Sequence, residues 1–188
     1  MIKAIIFDCF GVLYPNASYL FIDRYKEQLK NGTLFLDELN LKIDLGEISR
    51  QDFFEGIEKN IHVSADKIRK EFDNDWVVDQ NLVEFIKRLK NKYKIGLLSN
   101  GGEEELTIVF RDKIDSLFDS TTFSYDVRLV KPDEKIFQIC LKKLNINPSE
   151  AILVEDSKTN IAAANKLGIQ TIFYPKFGTI PHELVEIL

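Results

Sequence analysis

Two cysteines, one methionine, one tryptophan and two histidines in 188 residues put several kinds of protein out of reach. Cys9 and Cys140 stand far apart without a CxxC spacing, which argues against a disulfide framework or a zinc site and marks both as reduced core residues. His62 and His182 are isolated, so neither a histidine metal centre nor a histidine dyad is expected. No apolar run approaches the length of a membrane span. A basic footprint is lacking too: 30 Asp and Glu against 25 Lys and Arg give a net charge of -5, unsuited to duplex nucleic acid or an anionic membrane. The start, Met1-Ile2-Lys3 and a brief apolar run, has neither the length nor the cleavage site of a signal peptide. A cytoplasmic location is therefore expected, and no obligatory protein partner is evident.

What is present is a chain that is 45% hydrophobic and 29% charged, enough for one good core and a small appended module. Short apolar runs end in polar or small residues at Ala4 to Phe7, Ile95 to Leu98, Thr121 to Phe123, Ala151 to Val154 and Thr171 to Tyr174. These read as strands, and helical periodicities such as Leu82, Phe85, Ile86, Leu89 and Ile136, Phe137, Cys140, Leu144 lie between them. Alternation of this kind predicts an α/β fold, a Rossmann-like three-layer core around a parallel sheet. Between the first and second strands the period is helical instead: Tyr19, Phe21, Ile22, Tyr25, Leu29, then Phe53, Phe54, Ile57, Ile61. Ser49 and Ser64 read as helix N-caps, and Gly32 and Gly46 as turns. The expected division is a core of residues 1–14 and 79–188 with a small α-helical cap, 15–78, inserted after the first strand.

Ligands of open parallel sheets bind beyond the carboxyl ends of the strands. Those ends read Asp8-Cys9-Phe10-Gly11, Ser99-Asn100-Gly101 and Glu155-Asp156-Ser157, with Val130-Lys131-Pro132 in a loop. Three carboxylates, a hydroxyl, an amide and a lysine thus converge. Crowded carboxylates repel unless a cation sits among them, and a hard, oxygen-ligated ion such as magnesium suits them. With magnesium and Lys131 screening an anionic substrate, a carboxylate can attack phosphorus and form an aspartyl-phosphate. A receiver domain groups similar residues, but there the phosphorylated aspartate lies within an uninterrupted strand-helix alternation.

These four segments, in this order and around this insertion, resemble the four motifs of the haloacid dehalogenase (HAD) superfamily over nearly the whole chain. The Glu155-Asp156 pair is similar to that of its β-phosphoglucomutase-like branch, whose members carry a small helical cap. The resemblance implies a hydrolase acting on a small phosphorylated metabolite with Mg2+ as cofactor. It implies Asp8 as nucleophile and metal ligand, Ser99 as a phosphate-oxygen donor and Lys131 as the positive partner of both nucleophile and phosphate. Asp156 and Glu155 complete the metal shell, Asn100 shapes the phosphate pocket, and Asn160 supports the loop.

One position departs from the pattern. The family's usual acid-base aspartate, two residues after the nucleophile, is Phe10 here. Its backbone carbonyl, the atom that meets the metal in this family, remains. The missing proton-transfer group points to good leaving groups, or to a proton supplied by the cap or the substrate. Alternative readings are a phosphonatase- or dehalogenase-like hydrolase of C–P or C–halogen bonds, and a weak or inactive phosphate-binding domain. Arg128 reads as a surface charge, the acids from Glu103 to Glu105 as first-turn residues suited to a helix dipole, and Cys9 as pointing away from Asp8. The stretches near Gly46 and Glu47 and from Tyr14 to Tyr19 are the expected specificity elements.

Overall fold

The computed structural model describes residues 1–30, 32–110 and 115–187. Five strands, β1 (Ala4–Phe7), β2 (Lys94–Ser99), β3 (Ser120–Phe123), β4 (Ala151–Glu155) and β5 (Gln170–Phe173), form one parallel sheet in the order β3-β2-β1-β4-β5. Helices α1 (Ala17–Arg24), α2 (Leu34–Asp44), α3 (Arg50–Ile61) and α4 (Ala65–Asp75) come between β1 and α5 (Gln80–Leu89). Thereafter α6 (Glu103–Val109), α7 (Ser124–Val127), α8 (Glu134–Leu144), α9 (Lys158–Lys166) and α10 (His182–Val185) alternate with strands or end the chain. The fold is the α/β, Rossmann-like arrangement expected, and each predicted strand lies within one residue of its place.

Alternation along the strands divides the core. Ile5, Phe7, Ile95, Leu97, Ile152 and Val154 pack on α5, whereas Ala4, Ile6, Leu98 and Leu153 pack on α8 and α9. Because both faces are covered, the strands read as continuous apolar runs. Cys9 lies fully buried in the first of these clusters, and burial pushes its thiol up.

The helices of the insertion bury their own cluster, with Phe21, Phe53, Phe54 and Phe72 meeting edge-on or tilted at 5.3 to 6.0 Å. Ser49 forms a reciprocal capping box with Asp52, whereas Ser64 occupies its N-cap position without a side-chain bond. Gly32 and Gly46 both turn the chain at positive φ, 108° and 66°. The first helix is shorter than its periodicity predicts: α1 stops at Arg24, and Tyr19, counted on its apolar face, is 64% exposed. Helix α2 was not distinguishable beforehand, because Leu34 and Leu41 are exposed while Leu36 and Ile43 are buried.

Both ends of the insertion leave the sheet side by side, where the Asp79 N–H donates to the Leu13 carbonyl at 2.9 Å. A second tie holds the far end of α2. Arg128 Nη1 donates to the carbonyls of Leu45 (2.9 Å) and Gly46 (3.1 Å), and Ser124 Oγ to that of Asp44 (2.6 Å). Arg128 is therefore a fastener between α7 and the insertion rather than a plain surface charge: the last carbonyls of a helix lack intrahelical donors and attract a cation. Among the described residues no helix is long and apolar enough to cross a membrane.

Phe72 touches three other rings in a dry cluster. Phe72→Ala is expected to cost about 3–5 kcal/mol of stability, read as a lowered midpoint in denaturant unfolding; a loss under about 1 kcal/mol would show that the aromatic cluster is not a packed core.

Candidate active site

Asp8 follows β1 directly and is 6% exposed; its N–H continues the ladder by donating to the Val154 carbonyl at 3.0 Å. The next residue turns back on it, with Cys9 N–H donating to Asp8 Oδ1 at 2.6 Å. From the loop after α7 comes Lys131, whose Nζ lies 2.7 Å from Asp8 Oδ1 and 2.7 Å from Glu155 Oε2. Burial alone would discharge this ammonium, but the two carboxylates outweigh it and hold it well above the usual lysine range. Glu155, fully buried at the end of β4, is held down to about 2 against burial by Lys131, and its Oε1 accepts the Ser157 N–H at 3.0 Å.

The third carboxylate has no such partner. Asp156 is pushed up to about 7, first by burial and then by Glu155. Asp8 is also raised, by burial and by Glu155, with Lys131 opposing. One oxygen from each of Asp8, Glu155 and Asp156 lies within 4.8 Å of the others. One ammonium among three carboxylates leaves negative charge uncompensated, and the donors are all hard oxygens, so the set fits a small divalent cation. Room for Asp156 comes from Gly11. At φ +93° it adopts a backbone few other residues take, and a Cβ there would fall 2.1 Å from Asp156 Oδ2.

Asn100 clamps the lysine loop to the end of β2: its Oδ1 accepts the Lys131 N–H at 2.8 Å and its Nδ2 donates to the Lys131 carbonyl at 3.1 Å. Ser99, fully buried, donates its hydroxyl to the Asn100 carbonyl at 3.0 Å and lies behind the cavity wall. Asn160 is on that wall, in the first turn of α9, whose N-cap is Ser157. The structure thus brings together Asp8, Phe10, Asn100, Lys131, Glu155, Asp156 and Asn160, and sets Ser99 one layer below.

Above them is a cavity of about 420 Å3. Its far wall belongs to the insertion: Asn16, Tyr19, Asn40, Asp44, Phe72 and Trp76. Phe10 lines it with its ring 5.7 Å from that of Trp76, and the Arg50 guanidinium stands 5.0 Å from the Trp76 ring. Of the expected specificity elements, Asn16 to Tyr19 reach this cavity, whereas Gly46 and Glu47 line a separate one with Arg50 and Arg128. They sit beyond the end of α2, on the side of the insertion that faces α7.

Two acids escaped the sequence reading. Glu105 is not merely a dipole-matching surface acid: it is 8% exposed, lines the cavity, accepts the Gly102 N–H at 3.1 Å and is raised by burial. Asp44, the last residue of α2, lines the same cavity and is raised well above the usual range by burial and by Glu105. Neither carried a motif; only the docking of the insertion on the sheet places them.

An α/β fold whose strand ends gather a buried lysine and three carboxylates beside a helical insertion defines a class of hydrolase. The chain belongs to the haloacid dehalogenase-like hydrolases, whose family pattern matches residues 2–168. It is 26% identical over 183 residues to a phosphorylated carbohydrates phosphatase of Thermotoga maritima, covering 91% of this chain and 84% of that one. It is 27% identical over 203 residues to a D-ribitol-5-phosphate phosphatase of Bacteroides thetaiotaomicron, covering 95% and 94%. A structure of a HAD-family enzyme from the same bacterium in complex with magnesium and inorganic phosphate superposes with a TM-score of 0.76 at 25% identity, over 98% of this chain and 99% of that one. The match to a (S)-2-haloacid dehalogenase of Burkholderia cepacia, 31% identical, spans 52% of this chain and 43% of that enzyme.

Two outcomes follow from the geometry. Gly11→Ala is expected to cost about 1–3 kcal/mol in backbone strain and to weaken divalent-cation binding by displacing Asp156; unchanged cation affinity by calorimetry would contradict it. Because burial and Glu155 push Asp156 up to about 7, protons compete with a cation below that pH. Apparent affinity is expected to fall as pH drops below about 7 and to level off above it, and a pH-independent affinity from 5 to about 8 would refute this.

Proposed function

We propose that the chain is a magnesium-dependent phosphatase that hydrolyses a small phosphorylated metabolite through an aspartyl-phosphate at Asp8. The observation that carries this reading is the buried Asp8–Lys131–Glu155 array, with Asp156 beside it and one cavity above it. Asp8 attacks phosphorus; Lys131, 2.7 Å away, opposes the burial and the Glu155 charge that raise its carboxyl, and a bound cation would favour the ionised form further. Lys131 also faces the phosphate oxygens, and Asn100 fixes the loop that carries it. Ser99 contributes its hydroxyl to the phosphate pocket by turning from the Asn100 carbonyl. Asp8, the Phe10 backbone carbonyl and Asp156, supported by Glu155, hold Mg2+, and Asn160 supports the loop from α9. When bound, the ion neutralises phosphate charge and lets a carboxylate approach. The names of the phosphatase relatives support a phosphorylated small molecule as substrate.

Residues 15–78 act as the cap and residues 1–14 and 79–188 as the catalytic core, so that closing the insertion over the sheet excludes water from the reaction. Two free, buried cysteines suit a reducing compartment, the cytoplasm. The cavity disfavours the dehalogenase reading: Lys131 is its one basic side chain among the described residues, and Asp37 and Asp44 face it from the insertion. The carboxylate of a haloacid would find no cation there beyond the one already shared by Asp8 and Glu155.

Phosphate release from a panel of phosphate esters is expected to require Mg2+, to stop with EDTA and to fall at least about a thousandfold in Asp8→Asn, the scale on which loss of a nucleophile is felt. Activity that survives Asp8→Asn would reject the aspartyl-phosphate.

A further inference from the structure

We propose that Asp44, on the cavity wall at the end of α2, is the proton donor to the leaving group, the role that Phe10 cannot fill. The inference rests on the phosphatase reading and deepens it.

Displacement at phosphorus runs roughly in line, so the oxygen that leaves faces away from the attacking carboxylate. Asp8 attacks from the sheet, and the leaving oxygen therefore points to the insertion. The acidic side chains lining the cavity from the insertion are Asp37, Asp44 and Tyr19, and Glu105 of α6 lines it within electrostatic reach of Asp44. Asp37 is exposed. Glu105 already accepts the Gly102 N–H. Tyr19 is 64% exposed, and burial together with Asp156, Glu155 and Asp8 makes its hydroxyl a weaker acid than usual. Asp44 remains: partly buried, on the cavity wall, with its carboxyl hydrogen-bonded to none of the described residues.

Its placement is built. Ser124 Oγ donates to the Asp44 carbonyl at 2.6 Å and accepts the Gly101 N–H at 3.0 Å, which fixes the end of α2 over the turn that follows Asn100. Gly102 is what lets the helix settle there, since a Cβ at that position would lie 2.9 Å from Ile43 Cγ1. The charged groups that bear on the carboxyl are Glu105 of α6, which favours its protonated form, and Lys131 of the loop after α7, which opposes it more weakly than burial and Glu105 act together. A carboxyl kept protonated in this way is suited to donate.

The step balances as follows. Asp8 Oδ forms a bond to phosphorus, the bond from phosphorus to the ester oxygen breaks, and the Asp44 proton passes to that oxygen, which leaves as an alcohol. In the second step Asp44, now ionised, takes a proton from the water that attacks phosphorus. The Asp8–phosphorus bond breaks, phosphate leaves, and Asp44 is again protonated.

The experiment measures kcat/KM, which reports attack by Asp8 and departure of the leaving group but not the later hydrolysis common to both esters, for wild type, Asp44→Asn and Asp44→Asn/Phe10→Asp on 4-nitrophenyl phosphate, whose leaving group needs no proton, and on the best substrate of a panel of polyol phosphates. For Asp44→Asn the ratio of alkyl to aryl turnover is expected to fall about a hundredfold or more. The loss of alkyl turnover at high pH, where wild-type Asp44 ionises, is expected to disappear as well. Phe10→Asp in that background is expected to restore part of the alkyl activity. An equal loss on both esters, or an unaltered high-pH limb, would overturn the assignment while leaving the phosphatase standing. No turnover of either ester by wild type would remove the phosphatase reading and this inference with it.

Discussion

A single buried ammonium organises the end of the sheet. Lys131 lies 2.7 Å from both Asp8 and Glu155, and all three are nearly sealed from solvent. None of them is tolerable in that position alone, because an unpaired buried charge costs several kcal/mol. The surroundings support the array: Cys9 N–H donates to Asp8, Ser157 N–H donates to Glu155, and the Asn100 side chain brackets the Lys131 main chain. The ends of β1, β2 and β4 and the loop after α7 are thereby tied to one another. The charge does not close, however. Asp156 is left over, raised by burial and by Glu155, and that imbalance is what suits the set to a cation.

The aromatic residue two positions beyond Asp8 joins the core to the insertion. Phe10 places its ring against that of Trp76, over which the Arg50 guanidinium also stands. Arg50 goes on to pair with Asp73 and to cover Phe54. This set of contacts runs from the loop after β1 into α3 and α4 and helps to seat the insertion. Arg128 and Ser124 seat its other side on the end of α2. Both contacts act on the wall that brings Asp44 to the cavity.

Strand ends were legible because the sheet's chemistry is local to them. Each strand is a short apolar run closed by a polar residue, and parallel topology requires those closing residues to meet at one edge. Asp8, Asn100, Lys131, Glu155 and Asp156 were visible for that reason. What was not legible depends on how the insertion docks. Helix α2 has apolar residues on more than one face, so periodicity could not say that Asp44 looks inward. Glu105 shares its acidic run with two exposed neighbours, and only burial separates it from them. Arg128 finds its partners more than eighty residues away in sequence, and Tyr19 was counted as core because its spacing matches, although it faces the cavity.

The central claim is that Asp8 carries phosphate covalently, and the most direct measurement is mass spectrometry of peptides from enzyme acid-quenched during turnover of acetyl phosphate with Mg2+. The account predicts a phosphoryl group on the peptide holding Asp8, lost on treatment with hydroxylamine and absent when EDTA replaces the metal. A phosphoryl group on another residue, or steady phosphate release with no adduct at Asp8 at any quench time, would contradict it.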